Sequence, residues 1–265
     1  LAQNVQDALA VLEQQTYIQR TGNSYEYLSS EEKLIEEEIK NVDLDGSEVS
    51  QRLAKLINDD VIKTNRFRYA KNGQDFPFGV KLDDQVHSPQ RELTVHYISP
   101  AYDQELDAIR AQGAGRDELR VVLDSDDRLV SDLRLLLKTE KYIKRKRNSS
   151  LTTSVEQILN VRAGQNDERR KELIQRTRDA IGKALLIINL ADVESKSTDA
   201  ATRVSDGFQD LIRRTYPNLK LLGDITYTES DIAKYVNPPQ DGLDGTEHTG
   251  GDAASFAGSG PRALA

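Results

Sequence analysis

Cysteine, methionine and tryptophan are all missing from this 265-residue chain. The first absence reaches furthest. It leaves no disulfide, no thiol nucleophile and no thiolate zinc site, and it suits a cytoplasmic protein. Histidine is scarce too: His87, His96 and His248 do not have the spacing of metal ligands. No stretch approaches the ~18 apolar residues of a membrane-spanning helix, so no membrane contact is expected. The opening Leu1-Ala2-Gln3-Asn4 has neither the basic segment nor the apolar core of a secretion signal. With no initiator methionine, Leu1 reads as a cut or processed end of something longer. Positive charge is in deficit as well, with 36 Lys and Arg against 44 Asp and Glu. The resulting net charge of -8 argues against tight, sequence-independent DNA binding by the whole chain and leaves only local basic patches for that role.

What is present reads as an α+β chain in four parts. Residues 1–64 form a winged-helix-like helical region. Val5, Leu9 and Leu12 give a first helix its buried face. Tyr17-Ile18 and Tyr25 to Leu28 flank the turn-rich Thr21-Gly22-Asn23-Ser24 as a small wing. Ser29 and Glu32 form a capping box for a helix from Ser30 to Lys40, and Asp45 with Glu48 has similar spacing before a helix from Ser47 to Ile57. Residues 65–117 are expected to hold a small antiparallel sheet and a loop, with Glu92 to Ser99 the best strand and Tyr102 to Arg110 a short helix. Residues 118–236 form a helix-rich α/β part. It has a buried strand from Glu118 to Leu123, a long helix capped by Asp124 to Asp127, and a helical pattern from Ser154 to Ala184. An apolar strand from Leu185 to Leu190, a helix from Asp199 to Thr215, a strand at Lys220 to Leu222 and a short helix from Thr228 to Tyr235 complete it. Residues 237–265, opened by Asn237-Pro238-Pro239, have too few large apolar residues to fold and are expected to be disordered.

Motifs for chemistry are weak. Gly73 to Lys81 is the only string like a phosphate loop, but five residues separate its glycines, Val80 intervenes before Lys81, and Leu82 stands where the magnesium-binding hydroxyl belongs. A hairpin is the better account. Asp43-Leu44-Asp45-Gly46 has its glycine too early for a calcium loop. No serine lies in a nucleophile elbow. The richest feature is the cationic run Lys138, Lys141, Lys144, Arg145, Lys146 and Arg147 around Tyr142, a candidate for phosphate contact. The bland reading is a solvated helix end whose cations match the dipole. Arg20 on the wing, with Arg52 and Lys55 on the third helix, is the thinner nucleic-acid candidate.

An ordered series of short strings carries a resemblance. Tyr25 to Glu32, Glu38-Ile39-Lys40-Asn41 and Ser47-Glu48-Val49 are followed by Arg68-Tyr69, Asp75-Phe76 and Leu82-Asp83-Asp84, then by Ile98-Ser99-Pro100 and Lys141-Tyr142-Ile143. In this order they resemble the segment after the ATPase core in the large P-loop protein of bacteriophage-exclusion (BREX) systems, roughly over residues 1–235. The resemblance implies an AAA-like ATPase module N-terminal to this segment and cooperation with other exclusion-system subunits, among them a DNA methyltransferase and a phosphatase-like subunit. Because this chain has no Walker loop, ATP and magnesium are assigned to the parent protein and no cofactor to these residues. The expected role is a non-catalytic middle segment coupling the ATPase core to partner subunits or DNA. The alternative is a stand-alone winged-helix DNA-binding regulator; an unrecognised hydrolase, resting on scattered His and Asp, comes last.

Overall fold

The computed structural model of the chain describes residues 2–21, 24–126 and 128–222. Helix α1 (Ala2–Gln14) leads into a two-stranded antiparallel sheet of β1 (Ile18–Thr21) and β2 (Ser24–Tyr27), with Ile18 opposite Tyr27. Helix α2 (Ser30–Lys40) starts where its capping box predicts. Glu32 N donates to Ser29 Oγ at 3.3 Å, and Ser29 N donates to Glu32 Oε2 at 2.8 Å. Helix α3 (Gly46–Lys55) is capped by Asp45, which accepts from Ser47 N at 2.8 Å. It runs on as a π-helical turn, Leu56–Ile62, ending at left-handed Lys63 with φ 60°.

The second sheet contains β3 (Arg66–Arg68), β4 (Asp75–Leu82), β5 (Gln85–Val86), β6 (Leu93–Ile98), β7 (Glu118–Val122), β8 (Leu185–Ile188) and β9 (Ala191–Val193). Its order is β3-β4-β6-β7-β8-β9, with β5 pairing β4 off this path. The sheet is mixed, which corrects the expectation of an antiparallel one. β4–β6 and β6–β7 pair parallel, and the remaining pairs are antiparallel. Residue alternation specifies which side chains share a face, not the neighbour or its direction. After Leu82 the chain turns at Asp83 (φ 51°), pairs briefly through β5, and then returns along the other edge of β4. The same sheet joins the segments before and after residue 118, because Thr94 of β6 stands opposite Glu118 of β7.

Helix α4 (Leu106–Gln112) connects β6 to β7, and α5 (Leu129–Lys146) and α6 (Thr153–Gly182) connect β7 to β8. Helix α7 (Ala200–Thr215) follows β9, with Asp199 capping it through Thr202 N at 2.9 Å. The expected cap of α5 by the acids at 124–127 is replaced, among the described residues, by a start after Arg128 with no side-chain cap. Asp126 accepts from Arg128 N at 3.0 Å and binds Arg176 of α6, and Asp127 lies outside the described residues. The expected strand at 220–222 is part of a 3-10 turn, Pro217–Leu222. A tight turn at Asn189 (φ 57°) ends the expected strand of 185–190 at Ile188, after which β9, not anticipated from the sequence, folds back on β8. The predicted helix at 228–235 and the tail at 237–265 lie outside the described residues.

One face of the large sheet packs on helices. Leu82, Tyr97, Leu119, Val121, Leu186 and Ile188 join side chains of α3, α5, α6 and α7 in the main core. Phe208 of α7 wedges against Phe67 and Phe78, with centroids 5.3 and 5.4 Å away. A satellite core of Ile35, Ile39, Val42, Tyr142, Ile143 and Leu159 ties α2 to α5 and α6. Among the described residues no helix is long and apolar enough to cross a membrane.

Candidate functional site

The opposite face of the sheet buries charge. Register places Lys81, His96 and Arg120 in one row across β4, β6 and β7. All three turn toward Glu118, which is only 2% exposed. Arg120 Nε and Nη2 donate to Glu118 Oε1 at 2.8 and 2.5 Å, and Lys81 Nζ donates to Oε2 at 3.3 Å. His96 Nδ1 lies 3.7 Å from Oε1, while its Nε2 meets the Asp83 carbonyl at 2.5 Å. Burial pushes the Glu118 carboxyl up, but the nearby His96 imidazole and the hydrogen bonds and charge of Arg120 outweigh it and hold the group at about 2. Arg120 also donates to the Ile109 carbonyl of α4. The absence of a side chain at Gly113 makes room for it, since a Cβ there would stand 2.9 Å from Arg120 Nε. Asp83 accepts from Ser99 N and Oγ at 2.8 and 2.9 Å; burial raises its carboxyl against those bonds. Lys81, Arg120 and Glu118 occupy one another, while the buried His96 Nδ1 has no hydrogen-bond partner, and the cluster acts as a charged lock between the sheet and α4. Among the described residues no group of three or more His, Cys, Asp or Glu is placed to hold a metal.

The basic run on α5 lies where the sequence puts it, at the helix end, but three of its six cations, Lys138, Lys141 and Lys146, reach back to the α2–α3 region. Lys138 Nζ donates to the Lys40 carbonyl at 2.6 Å. Lys141 reaches the Asp43 carbonyl and Glu48, both at 3.1 Å. Lys146 pairs with Glu38 at 2.8 Å, and Tyr142 Oη donates to the same carboxylate at 2.6 Å. Those two bonds hold Glu38 below the usual carboxylate range. Arg147 donates to Asn160 Oδ1 at 3.1 Å, Arg145 lies over the Tyr142 ring at 5.9 Å, and Lys144 is exposed. Arg20 is not brought to this end. It lines a pocket of about 480 Å³ with Asp126, Arg128 and Asp132 from the other end of α5, and with Arg169 and Arg176 of α6. Burial holds the Arg169 guanidinium below its usual range. Arg176 donates to Asp126 at 2.5 and 2.8 Å and to Asp132 at 2.7 Å.

A larger groove, about 1390 Å³, opens between the end of α3, its π-helical turn and the outer edge of β4. Lys55, Lys63, Arg66 and Arg91 line it, against the single carboxylate of Asp59. All four cations are exposed. Arg66 has a loose exposed pair with Asp75 at 3.9 Å. His87 lines the same groove and meets Ser50 Oγ at 3.0 Å; burial lowers its pKa. Sequence reasoning singled out Lys55 alone of the four cations. The other three sit in separate turns and strands with no spacing to link them.

Two comparisons complete the picture. The family model described as "BREX ATP-binding protein BrxC 4th domain with six-stranded beta sheet" matches residues 42–211. That span contains the continuous six-strand path from β3 to β9. No solved structure matches the chain.

Proposed function

We propose a function from one premise: the chain belongs to the family of the fourth domain of the BREX ATP-binding protein BrxC. It is therefore a segment of a BREX component, a setting consistent with anti-phage defence. Within it, these residues act as a non-catalytic coupling segment that passes the state of an ATPase core to partner subunits or DNA in the cytoplasm. ATP and magnesium bind outside residues 1–265. The carrying observation is the family match joined to a sequence with no Gly-Lys-Ser/Thr phosphate loop. The engagement of Glu118 by Lys81 and Arg120 is in keeping with the same reading, because it ties up that buried carboxylate. Partners are other exclusion-system subunits, including a DNA methyltransferase and a phosphatase-like subunit. DNA contact by the α5 end falls to Lys144, Arg145 and Arg147, with Arg20 a separate and weaker point.

Calorimetry tests this. Titrating ATP with magnesium into the chain should release no heat of a stoichiometric complex, whereas the full-length parent should bind. A micromolar site on residues 1–265 would sink the coupling reading. The second reading, a winged-helix DNA-binding regulator, draws support from the β1–β2 hairpin between α1 and α2, whose Tyr27 is 81% exposed. It requires DNA binding that is lost on replacing Arg20 and Tyr27 and kept on replacing the α5 cations.

A further inference from the structure

We infer that the groove between α3 and the outer edge of β4 binds the phosphate backbone of a nucleic-acid duplex through Lys55, Lys63, Arg66 and Arg91. This deepens the DNA arm of the proposed function and rests on it for biological context only; ATP binding and groove binding can each fail alone.

The charge balance is the first support. Four cations face one carboxylate here, in a chain whose net charge is -8. Their isolation is the second. Among the described residues Lys55, Lys63 and Arg91 make no ion pair, whereas Lys141 and Lys146 on α5 are each bound to a glutamate. Unneutralised cations along a concave wall attract a polyanion, and each phosphate they engage releases a counterion.

Other ligands fit less well. An added peptide strand would need free hydrogen-bonding groups on β4, and these are occupied. Phe78 N donates to the Asn65 carbonyl at 3.1 Å, Val80 N to Ser88 Oγ at 2.7 Å, and the Val80 carbonyl accepts from His87 N at 2.9 Å. A single strand wants exposed rings on which to stack its bases. Of the rings lining this groove Phe78 is 3% exposed and His87 is half-buried and held by Ser50, and the exposed tyrosines Tyr17, Tyr25 and Tyr27 belong to the hairpin region. Lysine and arginine with no base-reading partner specify backbone contact with little sequence preference.

The test measures fluorescence anisotropy of a short mixed-sequence DNA duplex titrated with the intact chain across a salt series. Four phosphate contacts predict a log–log salt slope of roughly -3 to -4. Lys55→Gln, Lys63→Gln, Arg66→Gln and Arg91→Gln together should weaken binding at least about tenfold at low salt and flatten the slope. Circular dichroism checks that this variant folds. Arg91→Gln alone, at an exposed site, should lower the slope by about one. Lys144→Ala with Arg145→Ala and Arg147→Ala should change affinity less than the groove variant does. No binding by the unaltered chain at low salt would overturn the inference, as would a loss confined to the α5 variant. Polyglutamate competing as well as duplex at equal charge would also overturn it and make the occupant an acidic protein segment. A single-stranded competitor that displaces the duplex at lower concentration would overturn the assignment to a duplex.

Discussion

The two faces of the large sheet are buried by different means. On one, Leu82, Tyr97, Leu119 and Leu186 meet the helices, and the stabilisation is removal of apolar surface from water. On the other, Arg120 and Glu118 are 1% and 2% exposed and persist there only because Lys81, His96 and the Ile109 carbonyl complete their contacts. The apolar face tolerates change in proportion to volume. The charged face is closer to all-or-none, because deleting one member leaves another charged and dry. That makes it a specificity device, fixing the β4–β6–β7 register and the seat of α4, more than a source of stability.

The comparison breaks first at Arg120. Arg120→Ala leaves Glu118 without its main partner and should cost about 3–5 kcal/mol in urea unfolding. Replacing Arg120 and Glu118 together by Met and Leu should recover a large part of that loss, since neither charge is then stranded. If the double variant is as unstable as the single one, the buried pair contributes stability in its own right and the contrast between the faces fails. Next comes Leu119→Ala, on the apolar face of the same strand. It should cost about 3 kcal/mol, because Leu119 is fully buried against Gly207 and its loss leaves a cavity. No partner substitution elsewhere in the strand should rescue it.

A third effect is smaller and depends on pH. Glu118 has an ordinary value near 4.5 and is held at about 2 in the fold. A depressed carboxyl adds stability that is full above the unfolded value and is lost as pH falls from about 4.5 through 2. Glu118→Gln should be less stable at neutral pH and flatter across that window. Unfolding curves for the two proteins that run parallel from pH 6 to pH 2 would remove Glu118 from the acid response.

Alternation made the apolar face legible. Leu93, Val95 and Tyr97 in β6 and Leu119 and Val121 in β7 repeat every second residue, and local chemistry also gave the Ser29–Glu32 capping box. The charged face was not legible. Glu118 to Leu123 reads as a buried strand, but the cluster that buries Glu118 and Arg120 needs β6 beside β7 and α4 against Arg120, and that placement depends on a parallel crossover no local pattern encodes. The two basic regions divide in the same way. A run of six cations on one helix is conspicuous, yet Lys138, Lys141 and Lys146 hold α5 to α2 and α3. Lys55, Lys63, Arg66 and Arg91 converge on one groove from four segments and leave no trace as a string.

The smallest effect runs in the opposite direction and sharpens the contrast between the faces. Tyr97 is completely buried on the apolar face, and its hydroxyl has no hydrogen-bond partner in the protein. Burial pushes the phenol well above its usual range. A buried hydroxyl that gives up water without gaining a partner is a net cost, and its removal leaves the ring's packing in place. Tyr97→Phe should therefore stabilise the chain by about 1 kcal/mol, seen as a higher urea midpoint with an unchanged slope. A loss of similar size would mean that the hydroxyl finds a partner, and that this face, like the other, contains a polar contact the fold depends on.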